Sequence, residues 1–333
     1  MTPRERVWQS IHQQQPDFVP YHIIYTIPVK QKLEEHYQTT ALDDVLGNHI
    51  VKYRLRLPDV EVAPERWRDG YGVVWDRSVD KDIGVVTNYP LIKRDLSIIN
   101  YPNPKDEHIY QGLPRFIADN HHRFRMASVG FALFERAWSL RNMQELLIDM
   151  LEAPSFVHEL FESITKIQLS ILDEALKFDI DAILFGDDWG QQTGLIFGAR
   201  HWRKFIKPYI AQLYAKVKQA NKAVFIHTCG KVQELFPELI ELGVDVFNPF
   251  QPEVMDVYEM KKQYGQHLCF YGGVSIQQTL PFGTPQQVRS EVNKLMKTIG
   301  KDGGYIVAPS HAMPNDIPLE NILAFVQAVQ NQS

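Results

Sequence analysis

Two residues apart, in the run AVFIHTCG, stand His227 and Cys229. In an extended segment, side chains at i and i+2 point to the same side. An imidazole and a thiolate presented together are good zinc ligands, and a catalytic zinc takes three protein ligands and keeps one position open. The alternative is a buried structural cysteine beside a hydrogen-bonded histidine. His311, in YIVAPSHAMP, offers a third donor; it reads equally as a hydrogen-bonding residue in a loop. Asp187 and Asp188, in AILFGDDWG, are candidates for base, metal ligand or substrate acceptor, or for capping the next turn. Trp189 beside them, Asn248, Gly273 and Ser310 are candidates for lining a substrate site. Arg136, in FALFERAW, either holds a substrate carboxylate or lies on the surface. Cys269 sits inside an apolar run and reads as inert core. His121 and His122, beside Arg123 and Arg125, read as a solvated face, and His201 with Trp202 as the start of a helix.

These residues share one property: they follow short apolar runs. Asp187 and Asp188 follow AILFG, His227 and Cys229 follow AVFI, Asn248 follows VDVF, Gly272 and Gly273 follow LCFY, and Ser310 and His311 follow YIVAP. The runs alternate with helical patterns at 140–151, 154–178, 199–221, 232–242 and 284–299 and from Pro318 onward. Alternating strands and helices predict an α/β fold with a parallel sheet. Nearly uniform apolar strands fit a sheet covered on both faces. A (β/α)8 TIM barrel suits the spacing, with an open doubly wound sheet as the alternative; either gathers strand-end residues at one rim. Neither GxGxxG nor GxxxxGK[ST] occurs, so no glycine-rich phosphate loop is expected.

The first third is less regular. Thr2-Pro3 followed by RERVWQSIHQQ predicts a short capped helix. Residues 59–104, rich in Gly, Pro, Trp and Asp, predict loops and short strands over one end of the body. The expected organisation is one domain over 1–333, with 1–124 as an N-terminal part with irregular loops and 125–333 as the regular barrel part. The chain has 333 residues, 44% hydrophobic and 23% charged, which is the composition of a folded globular protein. A net charge of -5 without any basic stripe argues against nucleic acid as a partner. No apolar run approaches membrane-span length, and the polar start MTPRERVWQS has no signal-peptide core. Two cysteines indicate no disulfide framework, and a cytoplasmic location is expected.

Three stretches together resemble the uroporphyrinogen decarboxylase superfamily: TCGKVQELFPELIELGVDVFNPFQP, YGGVSIQQTLPFGTPQQVRSEV and GGYIVAPSHAMPNDIPLENI. The likeness is good over about 125–330 and poor before it. It implies a (β/α)8 barrel. The superfamily also contains methylcobamide:coenzyme M methyltransferases and the corrinoid-linked methyltransferases of methoxy-aromatic and methylamine metabolism. The decarboxylase branch carries an arginine-rich N-terminal loop that grips propionates; VPYHIIYTIPVK has neither arginine, and no Phe-Ser-Asp segment is recognisable. The methyltransferase branch carries His-x-Cys and a later Cys as zinc ligands. His227 and Cys229 match the first two, and His311 stands where the resemblance calls for Cys. The resemblance thus implies zinc (Zn2+), a corrinoid carried by a partner protein, a small-molecule thiol or methoxy- or methylamine-type substrate, and a homodimer. The competing expectation is decarboxylation of uroporphyrinogen or a related pyrrolic or aromatic acid.

Overall fold

The computed structural model describes residues 1–57 and 59–332. Seven parallel strands carry the fold: β1 (Ile50–Arg54), β2 (Phe124–Phe131), β3 (Ala182–Gly186), β4 (Ala223–His227), β5 (Val246–Phe250), β6 (Cys269–Val274) and β7 (Tyr305–Pro309). They lie side by side in chain order, and every neighbouring pair is parallel. Chain order with parallel pairing requires a crossover after each strand. Helices supply most of them, among them Pro154–Ala175 before β3, Lys207–Gln219 before β4 and Pro285–Thr298 before β7.

The eighth position is filled by the segment 20–25, which is not a regular strand. Tyr21 and Tyr25 bridge to Val307 and Met313. On its other edge a single backbone bond, from the His49 amide to the Tyr21 carbonyl at 3.2 Å, is supplemented by side chains: the Ile23 amide donates to Asn48 Oδ1 at 2.7 Å, and the Tyr21 amide to His49 Nδ1 at 3.3 Å. Pro20 at the start of this segment lacks the N–H that a ladder needs. With it the sheet closes into the expected (β/α)8 TIM barrel.

Side chains on a strand alternate between faces, and in a barrel one face is the lumen. Ile50, Met126, Leu184, Phe225, Tyr271 and Ala308 form the lower lumen core. The helix Pro3–Ile11 plugs the bottom with Val7 and Ile11. It opens with the capping box of Thr2 and Glu5, as the N-terminal residues predict. Two residues further along their strands, the same inward phase holds Lys52, Gly186 and His227. Alternation alone therefore lifts a polar layer above an apolar one.

Other expectations are adjusted in detail. The stretch 140–151 is two helices, Phe134–Arg141 and Met143–Glu152, separated by Asn142 at φ 78°. Residues within 60–86 form a four-stranded antiparallel sheet. It packs on the top of β2, with the rings of Trp75 and Phe131 5.5 Å apart. No helix among the described residues is long and apolar enough to cross a membrane.

Arg6 in the first helix donates to both carboxylate oxygens of Asp17, at 2.7 and 3.1 Å. That pairing draws the Asp17 carboxyl down to about 2. A depressed folded pKa gives stability that is complete above the unfolded value and is lost as pH falls toward 2. Because Asp17 is partly exposed, the contribution is less than about 1 kcal/mol. Arg6→Met is expected to lower the urea midpoint at pH 7 and to lower it clearly less near pH 2, where Asp17 is about half protonated. An equal loss at both pH values would remove the ion pair from the explanation.

Candidate metal centre

The strand ends bring three of the predicted residues together. The donor atoms of His227, Cys229 and His311 all lie within 4.8 Å of one another. Cys229 Sγ is 3.4 Å from His227 Nε2, and the two imidazole centroids are 5.2 Å apart. All three side chains are half-buried, as a site at a barrel mouth requires.

The orientation of His227 is set by a chain of hydrogen bonds. Asn248 Nδ2 donates to the Tyr271 carbonyl at 3.0 Å, which turns Asn248 Oδ1 toward His227. His227 Nδ1 is 2.6 Å from that oxygen and must donate its proton there. Nε2 is left with a lone pair facing the sulfur. Burial, and then the His227 ring, draw His311 down to about 4, so it is a neutral imidazole near pH 7. The Cys229 thiol is pushed well up, first by burial and then by Asp188. Two free imidazole nitrogens and a thiol that needs a nearby cation to ionise are a donor set suited to a divalent metal of the zinc type.

Backbone contacts fix the cysteine. Its amide donates to Asp188 Oδ1 at 2.7 Å. Gly230, at φ +88°, presses so closely on Gly190 that a Cβ would lie 2.4 Å from the Gly190 carbonyl carbon. The loops after β3 and β4 touch because both positions lack a side chain.

The two aspartates part company. Asp188 lies half-exposed at the mouth beside Cys229. Asp187 is buried: Oδ1 accepts from the Leu133 and Glu135 amides at 3.3 and 2.8 Å, and Oδ2 from the Trp189 indole at 2.7 Å. Burial raises its carboxyl to about 6 against the pull of those bonds. Asp187 thus caps the start of the helix after β2, a turn other than the one that follows it in sequence. Trp189, expected to line the site, is 1% exposed and packs its edge against Trp202.

The other expected lining residues are also placed differently. Asn248 holds His227. Gly273 contributes space rather than a contact: at φ +100° it admits the Tyr305 hydroxyl, which would lie 2.5 Å from a Cβ. Ser310 is buried, with its amide on the Val274 carbonyl at 2.8 Å. Arg136 is bound to Asp69 at 2.6 Å and lies over the Tyr71 ring at 4.5 Å, so it fastens the small sheet to the barrel.

Several groups escaped sequence reasoning. Glu135, next to Arg136, stands close to Asp188 and Asp187; burial and those two charges hold its carboxyl well above the usual range. His22 Nδ1 meets the Tyr271 hydroxyl at 2.5 Å in the lumen. Lys52 and Arg54 point inward from β1. The order FALFER, with an acid where a barrel helix begins, was the signal available for Glu135.

Comparison with known proteins agrees with this architecture. The profile of the uroporphyrinogen decarboxylase (URO-D) family matches residues 78–332. A uroporphyrinogen decarboxylase of Chlorobaculum parvum is 24% identical over 188 residues, 55% of this chain and 51% of that protein. The chain therefore spans about half the length of the curated relatives it matches. A methylated-thiol–coenzyme M methyltransferase of Methanosarcina mazei is 27% identical over 146 residues, 44% of this chain and 37% of that protein. A solved methyltransferase structure from Methanosarcina mazei superposes with a TM-score of 0.73 at 16% identity, covering 99% of this chain and 98% of the other. At that identity the superposition establishes the shared fold. With three quarters of its length matched by the family profile, this chain belongs to the uroporphyrinogen decarboxylase family.

Proposed function

We propose that this protein is a zinc-dependent methyltransferase that moves a methyl group between a corrinoid, carried by a partner protein, and a small substrate, with a thiol as the favoured acceptor. One observation carries the reading: His227, Cys229 and His311 place three metal-donor atoms within 4.8 Å at the barrel mouth. The likeness to a methyltransferase that acts on a methylated thiol and coenzyme M supports it. Zinc, when bound, lowers the pKa of a thiol and keeps it as a thiolate near neutral pH.

The residues of this chain do the rest. His227, Cys229 and His311 would hold the metal through Nε2, Sγ and an imidazole nitrogen. Asn248 keeps the Nδ1 proton of His227 and so keeps Nε2 free. Asp188 fixes the Cys229 backbone and stands where it can orient a substrate. Glu135, whose carboxyl is pushed well above its ordinary range by burial and by the charges of Asp188 and Asp187, stands where it could exchange a proton with a group at the mouth.

Methyl transfer from methylcobalamin to a thiol, followed by loss of the methyl–cobalt absorbance, tests the reading. Transfer is expected to need zinc and to disappear in Cys229→Ser. Transfer that proceeds equally after zinc has been stripped would overturn it. Decarboxylation of a pyrrolic or aromatic acid is the second reading, favoured by the cations Lys52 and Arg54 inside the barrel and by the decarboxylase relatives. Carbon dioxide release from porphyrinogens separates the two.

Asn248 gives a further expectation. Replacing the partner of a metal-bound imidazole commonly costs 10–100-fold in metal affinity. Asn248→Ala is expected to weaken zinc by about that factor in a chelator competition. Asn248→Asp, which still accepts from Nδ1, is expected to retain most of the affinity. Equal affinity in all three proteins would separate Asn248 from the metal.

A further inference from the structure

Ser275, directly after β6, is buried and joins two carboxylates from different parts of the chain. Its hydroxyl donates to Oε1 of Glu253, in the loop after β5, at 2.5 Å. Its amide donates to Oε1 of Glu291, on the helix Pro285–Thr298, at 2.9 Å. The hydroxyl also accepts from the Gln278 amide at 2.9 Å, and its single proton is committed to Glu253. Glu253 closely follows Asn248, which holds His227, and Gln251, whose Oε1 accepts from the Gly230 amide at 2.8 Å beside Cys229. Whatever fixes Glu253 therefore steadies the backing of the metal loop.

The second oxygen of Glu253 is buried and has no donor among the described residues. A buried carboxylate oxygen without a donor is costly and calls for a physical reason. Glu291 supplies one. Burial raises its carboxyl above the usual range against the pull of the Thr279 hydroxyl and the Ser275 amide, and the Glu253 charge raises it further. Neither glutamate makes an ion pair among the described residues. The other ionisable groups nearby are occupied: the Tyr305 hydroxyl donates to the Gly272 carbonyl at 2.8 Å, and Lys294, one turn along the helix from Glu291, lies over the Tyr258 ring at 4.9 Å. Two carboxylates gripped by one serine, with no cation between them, repel each other when both are ionised.

We propose that Glu253 and Glu291 hold one proton between them in mildly acidic solution and, with Ser275, form a pH-sensitive latch that pins the backing of the metal loop to the outer helix layer. With the proton on Glu291, Glu253 Oε2 gains the donor it lacks. Once that proton leaves to solvent, two like charges face each other and the latch loosens. The latch stands on its own contacts and does not need the zinc reading.

The test compares the unaltered protein with Glu291→Gln, Glu253→Gln and the double variant; glutamine keeps the shape of the side chain and the acceptor oxygen that Ser275 uses. The infrared band of a protonated carboxyl, taken as parent minus Glu291→Gln, is expected to vanish at a pH above the ordinary glutamate value of about 4.3. Taken as Glu253→Gln minus the double variant, the same band is expected to vanish at a lower pH than in the parent, because the neighbouring charge is gone. A raised folded pKa gives stability that is complete below the unfolded value and is lost as pH rises through the folded one. The urea midpoint of Glu291→Gln is therefore expected to gain on the parent as pH rises. Over the same interval, amide exchange in 228–232 and 249–255 is expected to become slower in Glu291→Gln than in the parent. A band that titrates at the ordinary value, a titration unmoved by Glu253→Gln, or a midpoint difference constant with pH would overturn the latch. So would stabilisation by added sodium, potassium, magnesium or calcium chloride that either glutamine variant abolishes, because a cation would then stand where the proton is placed.

Discussion

Unaltered protein reconstituted with zinc is expected to retain about one metal per chain, and His227→Ala is expected to lose at least about a hundredfold in affinity. The size follows from the geometry. Zinc bound by a few protein donors owes a large free energy to each, and among the described residues three donors converge here. Removing His227 also strips Asn248 of its donor partner and leaves Cys229 facing Asp188 with no cation gathered by the remaining pair. Cys229→Ser should be comparably severe. His311→Cys is the informative contrast. It supplies the thiolate that the family resemblance leads one to expect, so binding at least as tight as in the parent is predicted. The natural set of two neutral imidazoles and one thiolate carries a single negative charge, one fewer than the Cys variant, and leaves the centre more electron-poor. Metal analysis after gel filtration, with chelator competition for the affinities, reads all four proteins. Full zinc retention in His227→Ala would place the metal elsewhere.

The features legible in the sequence were those written in local periodicity. Apolar runs such as AVFI and YIVAP are long enough to mark strands, and the polar residue after each run lands on one rim. That is why His227, Cys229 and His311 could be grouped across 84 positions of chain. What stayed hidden depends on backbone contacts between distant segments. The eighth barrel position, 20–25, has prolines nearby and side-chain acceptors taking over part of its ladder, so it carries no strand pattern. Lys52 and Arg54 lie on a strand whose alternation imitates a surface strand, because the lumen above Ile50 is wet. The role of Asn248 requires knowing that the Tyr271 carbonyl fixes its amide. Glu135 was overshadowed by Arg136: adjacent residues on one helix turn face different neighbours, and the arginine that looked like a ligand for carboxylate serves the fold while the acid enters the site.

Asp187 and Asp188 are adjacent in sequence, yet opposite outcomes are expected on substitution. Asp187→Ala removes the acceptor of three buried donors: the Leu133 amide, the Glu135 amide and the Trp189 indole. Each orphaned buried donor costs about 1–3 kcal/mol, and water entering the space left by the carboxylate offsets part of the sum. A loss of about 3–5 kcal/mol in chemical denaturation is expected, which is large against the whole stability of a folded protein. Asp188→Ala removes one half-exposed acceptor, so stability should change by no more than about 1 kcal/mol. Its effect falls on the cysteine. Without Asp188 Oδ1 the Cys229 amide is freed, the sulfur is positioned only through the Gly190–Gly230 contact and the bonds of the flanking Thr228 and Gly230 amides, and zinc should bind about tenfold more weakly. The measurements cross: one variant loses stability with its metal site intact at low denaturant, the other keeps stability and loses metal affinity. If Asp187→Ala instead unfolded at the parent's denaturant midpoint and failed only in turnover, Asp187 would have to act on the substrate itself, and the hydrogen bonds that bury it would not be what it is there for.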